Sequence, residues 1–158
     1  MRKVIVNTAP LIALAGVGQL SLLRQLYSEI TIPGAVYHEI ISEPARSLVS
    51  AAEWIKIEKI TGAIRKSAFS SRLHAGENEV IILAQEAKAD LLIMDDNAAK
   101  KTAKYLGLTV TGTMGVLLRA KKEGFISEVK PLLEGLINDG LYVSPTVQNY
   151  VLEQAGEK

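Results

Sequence analysis

The sequence predicts an α/β protein, a three-layer α/β/α sandwich in which helices cover both faces of a central, mainly parallel sheet. Short apolar runs at residues 4–6, 30–32 and 91–94 indicate buried strands. Stretches with helical apolar spacing separate these runs, and this alternation favours right-handed crossovers between parallel strands. Uninterrupted apolar strands agree with that arrangement, because a parallel sheet is covered on both faces.

The composition indicates one globular domain over residues 1–158, with a core at about 3–125 and a C-terminal helical part at 126–158. Hydrophobic residues make up 48% of the chain and charged residues 22%. The net charge of +1 gives no global attraction to nucleic acid, so such a partner must use a local patch. The sequence has no cysteine, which excludes thiolate metal sites and agrees with a reducing compartment.

The order of elements begins with a strand at 4–6 that ends at Asn7. Pro10 then occupies a first-turn position of a helix that closes at Gly16 or Gly18. The predictions up to residue 60 are a helix at 20–26, a strand at 30–32, helices at 35–41 and 44–52, and a strand at 54–60. That last strand alternates with period two, which is typical of a half-buried strand near an edge. Residues 62–74 are polar and basic and are expected to form a connection.

The strongest predicted helix spans residues 76–89. Glu77 lies in its first turn and Lys88 in its last, as the helix dipole prefers. The buried strand at 91–94 follows and ends on Asp95 and Asp96. The remaining predictions are a helix at 97–106 closed by Gly107, a strand at 108–111, and helices at 112–122, 126–137 and 145–154.

Acidic and amide side chains are expected to meet at one edge of this sheet. Asn7 and Asp95 each follow a strand, and the ends of neighbouring parallel strands lie side by side. Glu39, Glu77 and Glu79 lie on helices that pack near those ends. Oxygen ligands of this kind suit Mg²⁺ or Mn²⁺, although a first-turn Glu also arises from dipole compensation alone. Asp96 is interpreted as the N-cap of the next helix.

Basic residues lie close to these acids in the sequence. Lys100 and Lys104 are four residues apart on the helix after Asp95, so they share a face. Either they bind the phosphates of a nucleic-acid backbone at the rim of the acidic site or they form a solvated helix face. A second basic set, Arg65, Lys66 and Arg72, precedes Glu77. No aromatic platform is evident beside these charges, so base stacking is not expected.

Five segments resemble the motifs of PIN-domain proteins, and one of them, residues 91–96, resembles the family's fourth element. Residues 6–12, Val-Asn-Thr-Ala-Pro-Leu-Ile, resemble the family's opening, in which a strand ends on an acidic residue. Residues 33–39 resemble its Pro-x-x-Val-x-x-Glu helix. Residues 76–81 are similar to the third element and to the Gly-Glu-x-Glu-Ala pattern of the related flap endonucleases. Residues 112–117 are similar to the Gly-Thr-x-Gly-Val-Leu signature of a subgroup of uncharacterised prokaryotic PIN-like proteins. Together the resemblance covers about residues 3–125.

The resemblance implies a metal-dependent ribonuclease, a fold often used as the toxin of a VapC-type toxin–antitoxin pair. Glu39, Glu77 and Asp95 would be ligands of Mg²⁺ or Mn²⁺, and Glu79 would supply a further carboxylate. Thr8 would hydrogen-bond near the metal or the scissile phosphate, and Thr113 would contact substrate together with Lys100 and Lys104. The implied partners are RNA, an antitoxin protein and a second copy of the chain.

Asn7 departs from the family pattern, because it stands where the first Asp is usual. An amide oxygen ligates Mg²⁺ but brings no charge. Two interpretations therefore stand: a working endoribonuclease, and a catalytically impaired PIN-like protein that binds RNA or a protein partner. A receiver-like signalling domain is disfavoured, because the early acidic pair of such domains is missing. No signal-peptide layout is present, and the apolar stretch at 9–17 is too short to span a bilayer. A cytoplasmic protein is expected.

Overall fold

The structure, a computed structural model, describes residues 2–60 and 75–158, and in the second stretch it describes side chains from residue 79 onward. The connection expected at 62–74 lies outside the described residues, and so do Arg65, Lys66, Arg72 and His74. The side chain of Glu77 is also outside the description, although its backbone belongs to a helix.

A parallel sheet forms the centre of the described part. Its strands are β1 (Val4–Val6), β2 (Ile30–Pro33), β3 (Ile55–Glu58), β4 (Leu91–Ile93) and β5 (Val110–Thr111). They lie in the order β3-β2-β1-β4-β5, and every neighbouring pair is parallel. The predicted α/β fold with a parallel sheet is confirmed, and β3 lies at an edge as its alternating pattern indicated.

Nine helices flank this sheet in the described part of the chain. They are α1 (Thr8–Gly16), α2 (Ser21–Tyr27), α3 (Gly34–Glu39), α4 (Ala45–Ala51), α5 (Ala75–Glu86), α6 (Asn97–Tyr105), α7 (Thr113–Lys122), α8 (Lys130–Asn138) and α9 (Pro145–Ala155). The layers are consistent with the predicted α/β/α sandwich.

The core is aliphatic and centred on β1, which pairs with β2 on one side and β4 on the other. Ile5, Ile32, Leu92 and Ile93 are fully buried, and each such side chain contributes about 1.5–3 kcal/mol relative to an exposed position. The burial of β1 and β4 on both faces leaves only their ends available for polar chemistry. Those ends carry Asn7 and Asp95.

Two helix boundaries differ from the predictions by more than two residues. The helix predicted at 126–137 begins at Lys130, because Pro131 has no N–H and fits a first turn but not a helix interior. The helix predicted to include Lys88 in its last turn ends at Glu86, and Lys88 adopts a positive φ of 53°. Ala89 N–H donates to Ala84 O at 2.9 Å, the bond of a Schellman cap whose left-handed position favours glycine.

No single helix within the described residues is long and apolar enough to cross a membrane. α1 and α2 reach the required length only as a pair, and they meet at a bend of 116°. Leu11, Leu14, Leu22 and Leu23 of that pair are buried in the core.

Candidate functional site

The candidate site lies where β1 and β4 end side by side. β2 and β3 lie on one side of β1, and β4 and β5 lie on the other. The strand order therefore reverses between β1 and β4. Open parallel sheets bind ligands at the carboxyl ends of strands beside such a reversal. Asn7 follows β1, and its N–H donates to Ile93 O of β4 at 2.8 Å. Asp95 follows β4 two residues later, so both side chains start from the same edge.

The Asn7 side chain is buried, with 4% of its surface exposed, and its Oδ1 has no hydrogen-bond donor among the described residues. Asn7 occupies the N-cap position of α1, yet its side chain makes no capping bond. A buried polar oxygen without a partner costs about 1–3 kcal/mol and is uncommon in native proteins. Asn7 therefore presents an oxygen that a bound ligand would satisfy.

Asp95 is held in place by Thr113 through two hydrogen bonds. The backbone N–H of Thr113 donates to Asp95 Oδ1 at 2.8 Å, and its hydroxyl donates to Oδ2 at 2.7 Å. Thr113 is itself 1% exposed, at the start of α7. Each carboxylate oxygen can accept more than one bond, so Asp95 keeps acceptor capacity while its orientation is fixed.

Lys100 lies beside Asp95, and Gly112 makes room for both. A Cβ on Gly112 would stand 2.7 Å from Asp95 Oδ1 and 2.8 Å from Lys100 Nζ. A larger residue at 112 would therefore require the end of one or both of these side chains to shift. Lys100 is partly buried at the edge of the site, whereas Lys104 is exposed on the next turn of α6. The two lysines are one turn apart on α6, as the spacing indicated, and they differ in how far they are exposed.

Glu39 contacts the site through Thr8. The Thr8 hydroxyl donates to Glu39 Oε2 at 3.0 Å, which joins the last residue of α3 to the first residue of α1. Thr8 follows Asn7 directly in the chain, so this pair borders the Asn7 side of the site. Both side chains lie closer to solvent than Asn7 does.

Of the two candidate ligands on α5, Glu77 and Glu79, the structure describes the side chain of Glu79 alone. Glu79 Oε1 accepts the N–H of Ala35 at 3.3 Å, in the first turn of α3. This bond ties α5 to α3, and Glu79 makes a further interaction besides it. Glu77 lies in the first turn of α5, which packs against β1, β2 and α3, but its side chain is outside the description.

Asp96 is a helix cap, as its sequence position indicated. Its Oδ1 accepts the N–H of Ala99 at 2.8 Å, and it is the N-cap residue of α6. The neighbouring Asp95 is turned instead toward Thr113. Two adjacent carboxylates at one strand end therefore serve different purposes.

The donor chemistry fits a hard divalent cation. Asn7, Glu39 and Asp95 offer oxygen atoms only, which is the ligand type that Mg²⁺ and Mn²⁺ prefer. Among the side chains that the structure describes, no three His, Cys, Asp or Glu residues are grouped closely enough to hold a metal ion. A complete ligand set would therefore include the Asn7 amide oxygen or the Glu77 carboxylate.

A cavity of about 330 Å³ adjoins the site and was not anticipated from the sequence. Asp95, Lys100, Thr113, Tyr142 and Val147 are among the residues that line it. Tyr142 lines this cavity together with Lys100, so an aromatic residue lies nearer to the basic residues than the sequence indicated. The only sequence signal for it is the apolar run at 141–143 in a connection between helices.

Comparison with known proteins identifies the fold. A model of the family DUF3368, described as a PIN domain, matches residues 3–157. A PilT N-terminus domain protein from the hyperthermophilic archaeon Sulfolobus solfataricus P2 has a similar structure, with a TM-score of 0.51 and 15% identity. The match covers 74% of this chain and 92% of that protein, and at this identity the likeness concerns the fold alone. No protein of curated function gives a significant match.

The family match extends over almost the whole sequence, including the C-terminal helices beyond the motifs at 3–125. PIN domains form a nuclease-type superfamily and generally depend on divalent metal ions. The chain belongs to the PIN-domain family.

Proposed function

We propose that this protein is a metal-dependent endoribonuclease that uses Mg²⁺ or Mn²⁺. The observation that carries the proposal is the buried Asn7 Oδ1 at the strand end next to Asp95, which has no hydrogen-bond donor within residues 2–60 and 79–158. A site for a hard cation at this edge explains why a polar oxygen is buried there with no donor from those residues. Membership of a nuclease-type superfamily supports the same activity.

In this proposal each residue has a separate role. Asn7, Glu39, Glu77 and Asp95 hold the cation, with Glu79 available as a further carboxylate. Thr113 fixes the orientation of Asp95 by its two hydrogen bonds, and Thr8 does the same for Glu39. Lys100 binds a phosphate of the RNA backbone, and Lys104 adds charge further along α6. Lysine contributes such contacts as a point charge.

The proposed reaction is hydrolysis of a phosphodiester. Water attacks phosphorus, a new O–P bond forms, and the bond from phosphorus to the leaving oxygen breaks. A bound divalent cation supplies activation of the water and stabilisation of the leaving oxygen. The protein contributes orientation of the ligands, a phosphate contact at Lys100 and the neutral oxygen of Asn7.

Cleavage of RNA by purified protein tests the proposal. We expect Asp95→Asn and Glu77→Gln to lower the Mn²⁺-dependent rate at least about 100-fold, the scale of losing one group that stabilises a transition state. Asp96→Asn is the matched control: it makes the same change one residue away, and Asn remains a good N-cap. Cleavage that persists equally in all three variants would contradict the proposal.

The alternative function is that of a catalytically impaired PIN-like protein that binds RNA or a protein partner. The neutral amide at position 7 favours it, because an uncharged ligand holds a cation less strongly than a carboxylate does. This alternative predicts RNA binding without cleavage over a range of divalent metals. It also predicts that Asn7→Asp introduces or strongly raises metal-dependent cleavage.

Further parts of the proposal concern the biological setting. A toxin role predicts a small open reading frame for an antitoxin next to the gene, and co-expression of that protein should suppress cleavage. A homodimer is proposed, with sedimentation velocity as the measurement. Location in the cytoplasm is proposed from the lack of cysteine, and fractionation of cells tests it.

A further inference from the structure

Three parts of the chain contribute residues to the lining of the cavity beside Asp95. Asp95 and Lys100 come from the end of β4 and from α6, Thr113 and Met114 come from α7, and Tyr142 and Val147 come from the C-terminal part. Its volume of about 330 Å³ lies at the lower end of the range typical for small-ligand sites, about 300–1,000 Å³. The space therefore suits one nucleotide-sized group next to the proposed reaction site.

The residues that line the cavity combine two kinds of chemistry. The Asp95 carboxylate and the Lys100 ammonium both lie close to Gly112, where a Cβ would stand 2.7 Å from Asp95 Oδ1 and 2.8 Å from Lys100 Nζ. Tyr142, which is 84% exposed, and Val147, which is 42% exposed, line the same cavity. Charged groups next to an exposed aromatic residue match a nucleotide, which joins an anionic phosphate to a flat base.

Hydrogen bonds hold the backbone on either side of Tyr142. Leu141 N–H donates to Leu136 O at 3.0 Å, and Gln148 Nε2 donates to the carbonyl of Val143 at 2.8 Å. Ser144 caps α9 by accepting the N–H of Val147 at 3.2 Å. Because this backbone is already ordered, binding at Tyr142 carries a lower entropic cost.

We propose that this cavity is a subsite for one unpaired nucleobase of the RNA substrate, which stacks on Tyr142 while Lys100 contacts the adjoining phosphate. The inference rests on the proposed function and adds to it a base contact made by the C-terminal part of the chain. Bases inside a duplex are already stacked on one another, so a protein ring reaches only a base that is splayed out. The C-terminal part, which supplies Tyr142, thereby selects the substrate.

RNA binding in excess EDTA tests this subsite without any cleavage. Fluorescence anisotropy measures the affinity of the wild type and of three variants for a short single-stranded RNA. We expect Tyr142→Ala to weaken binding about 5- to 150-fold, the usual range for loss of one base–aromatic stack. Tyr142→Phe should keep the affinity within about twofold, because the ring is retained. Tyr105→Ala is the matched control: Tyr105 is 90% exposed but does not line the cavity.

Two further RNA ligands distinguish loss of base stacking from a general loss of RNA binding. With an RNA that carries abasic positions, the difference between the wild type and Tyr142→Ala should disappear. With a fully paired duplex of the same sequence, Tyr142→Ala should bind as the wild type does. Equal affinities of the wild type and Tyr142→Ala for the single strand would overturn the subsite, and so would failure of the wild type to bind it.

A parallel cleavage reaction in Mn²⁺ distinguishes the subsite from the nuclease activity. Loss of binding in Tyr142→Ala without cleavage by the wild type would support the subsite and contradict the nuclease. Cleavage by the wild type with unchanged binding in Tyr142→Ala would support the nuclease and contradict the subsite. Thermal unfolding of Tyr142→Ala should match the wild type, because the ring is exposed.

Discussion

Asn7 decides how strongly the proposed site holds a cation. Its amide oxygen is buried and has no donor in the part of the chain that the structure describes, and an amide contributes a dipole where a carboxylate contributes a full charge. The remaining ligands are carboxylates that repel one another when no cation is present. A neutral group at position 7 lowers that repulsion, and we expect it to lower the affinity for metal as well.

Replacing Asn7 with Asp tests this reasoning through stability as well as activity. Without metal, the buried and unpaired charge should lower the free energy of unfolding by up to about 3–5 kcal/mol. With Mn²⁺, the melting temperature should rise more than in the wild type, since each tenfold gain in affinity adds about 1.4 kcal/mol. Differential scanning calorimetry with and without Mn²⁺ measures both effects.

Asn149→Asp serves as the control for that experiment. Asn149 is exposed on α9, so the same change of side chain there should leave the metal response as it is in the wild type. An equal response to Mn²⁺ in Asn7→Asp and in the wild type would show that Asn7 is not a ligand.

Thr113 is a positioning residue for Asp95. Thr113→Val keeps the shape and the backbone hydrogen bond but removes the hydroxyl that donates to Asp95 Oδ2 at 2.7 Å. We expect kcat to fall about 10- to 100-fold, the scale of losing an outer hydrogen bond to a metal ligand. Thr113→Ser should restore most of the rate, because it returns the hydroxyl. A rate in Thr113→Val that equals the wild type would contradict this role.

At the scale of single elements, the end of α5 carries strain that glycine would remove. Lys88 has φ of 53° in a Schellman cap, a backbone region that costs a residue with a Cβ about 1 kcal/mol. Lys88→Gly should therefore raise the free energy of unfolding by about 0.5–1 kcal/mol. Urea denaturation measures the change. Lys101→Gly is the control within α6, where glycine should cost about 1 kcal/mol; a loss of stability in both variants would contradict the cap.

The start of α8 depends on a carboxylate from the far end of the chain. Glu157 accepts the N–H of Val129 at 2.7 Å and of Lys130 at 2.8 Å, and Lys121 Nζ lies 2.9 Å away. Burial alone would raise the pKa of Glu157, but the hydrogen bonds from Val129, Lys121 and Lys130 outweigh it and lower the pKa below its ordinary value. The charged form is thus the one that the fold stabilises.

The lowered pKa of Glu157 determines how the stabilisation from its hydrogen bonds depends on pH. Its stabilisation is fully present above the unfolded pKa of about 4.3 and is lost as the pH falls through the folded value. Glu157→Gln should lower the free energy of unfolding by about 1–3 kcal/mol at neutral pH. That difference should shrink in acid, below about pH 4. Chemical denaturation across pH measures it, and a difference that does not change with pH would contradict the charge-based account.

At the scale of the whole molecule, the fold class was predictable from the apolar runs in the sequence. Strands at 4–6, 30–32 and 91–94 were predictable because uninterrupted apolar runs occur where a parallel sheet is covered on both faces. The placement of Asn7 and Asp95 at one edge followed from the same reasoning, and the structure brings β1 and β4 together. The match of the family model to residues 3–157 agrees with that fold.

Other features depended on contacts that sequence spacing does not report. The bond from Ala35 to Glu79 joins residues 44 positions apart, and that from Thr113 to Asp95 spans 18. Tyr142 lies in the connection between α8 and α9. Nothing in the local sequence indicates which cavity this segment lines. The end of α5 at Glu86 was missed because Lys88 is an uncommon residue in a left-handed cap.

A crystal structure of the protein soaked in Mn²⁺, with anomalous difference density, tests the central proposal most directly. We predict one strong peak at the ends of β1 and β4, within ligand distance of Asn7 Oδ1 and of Asp95, and with Glu39 and Glu77 turned toward it. A well-ordered site without a peak at saturating Mn²⁺, or a peak that Asn7 and Asp95 do not touch, would contradict the proposal.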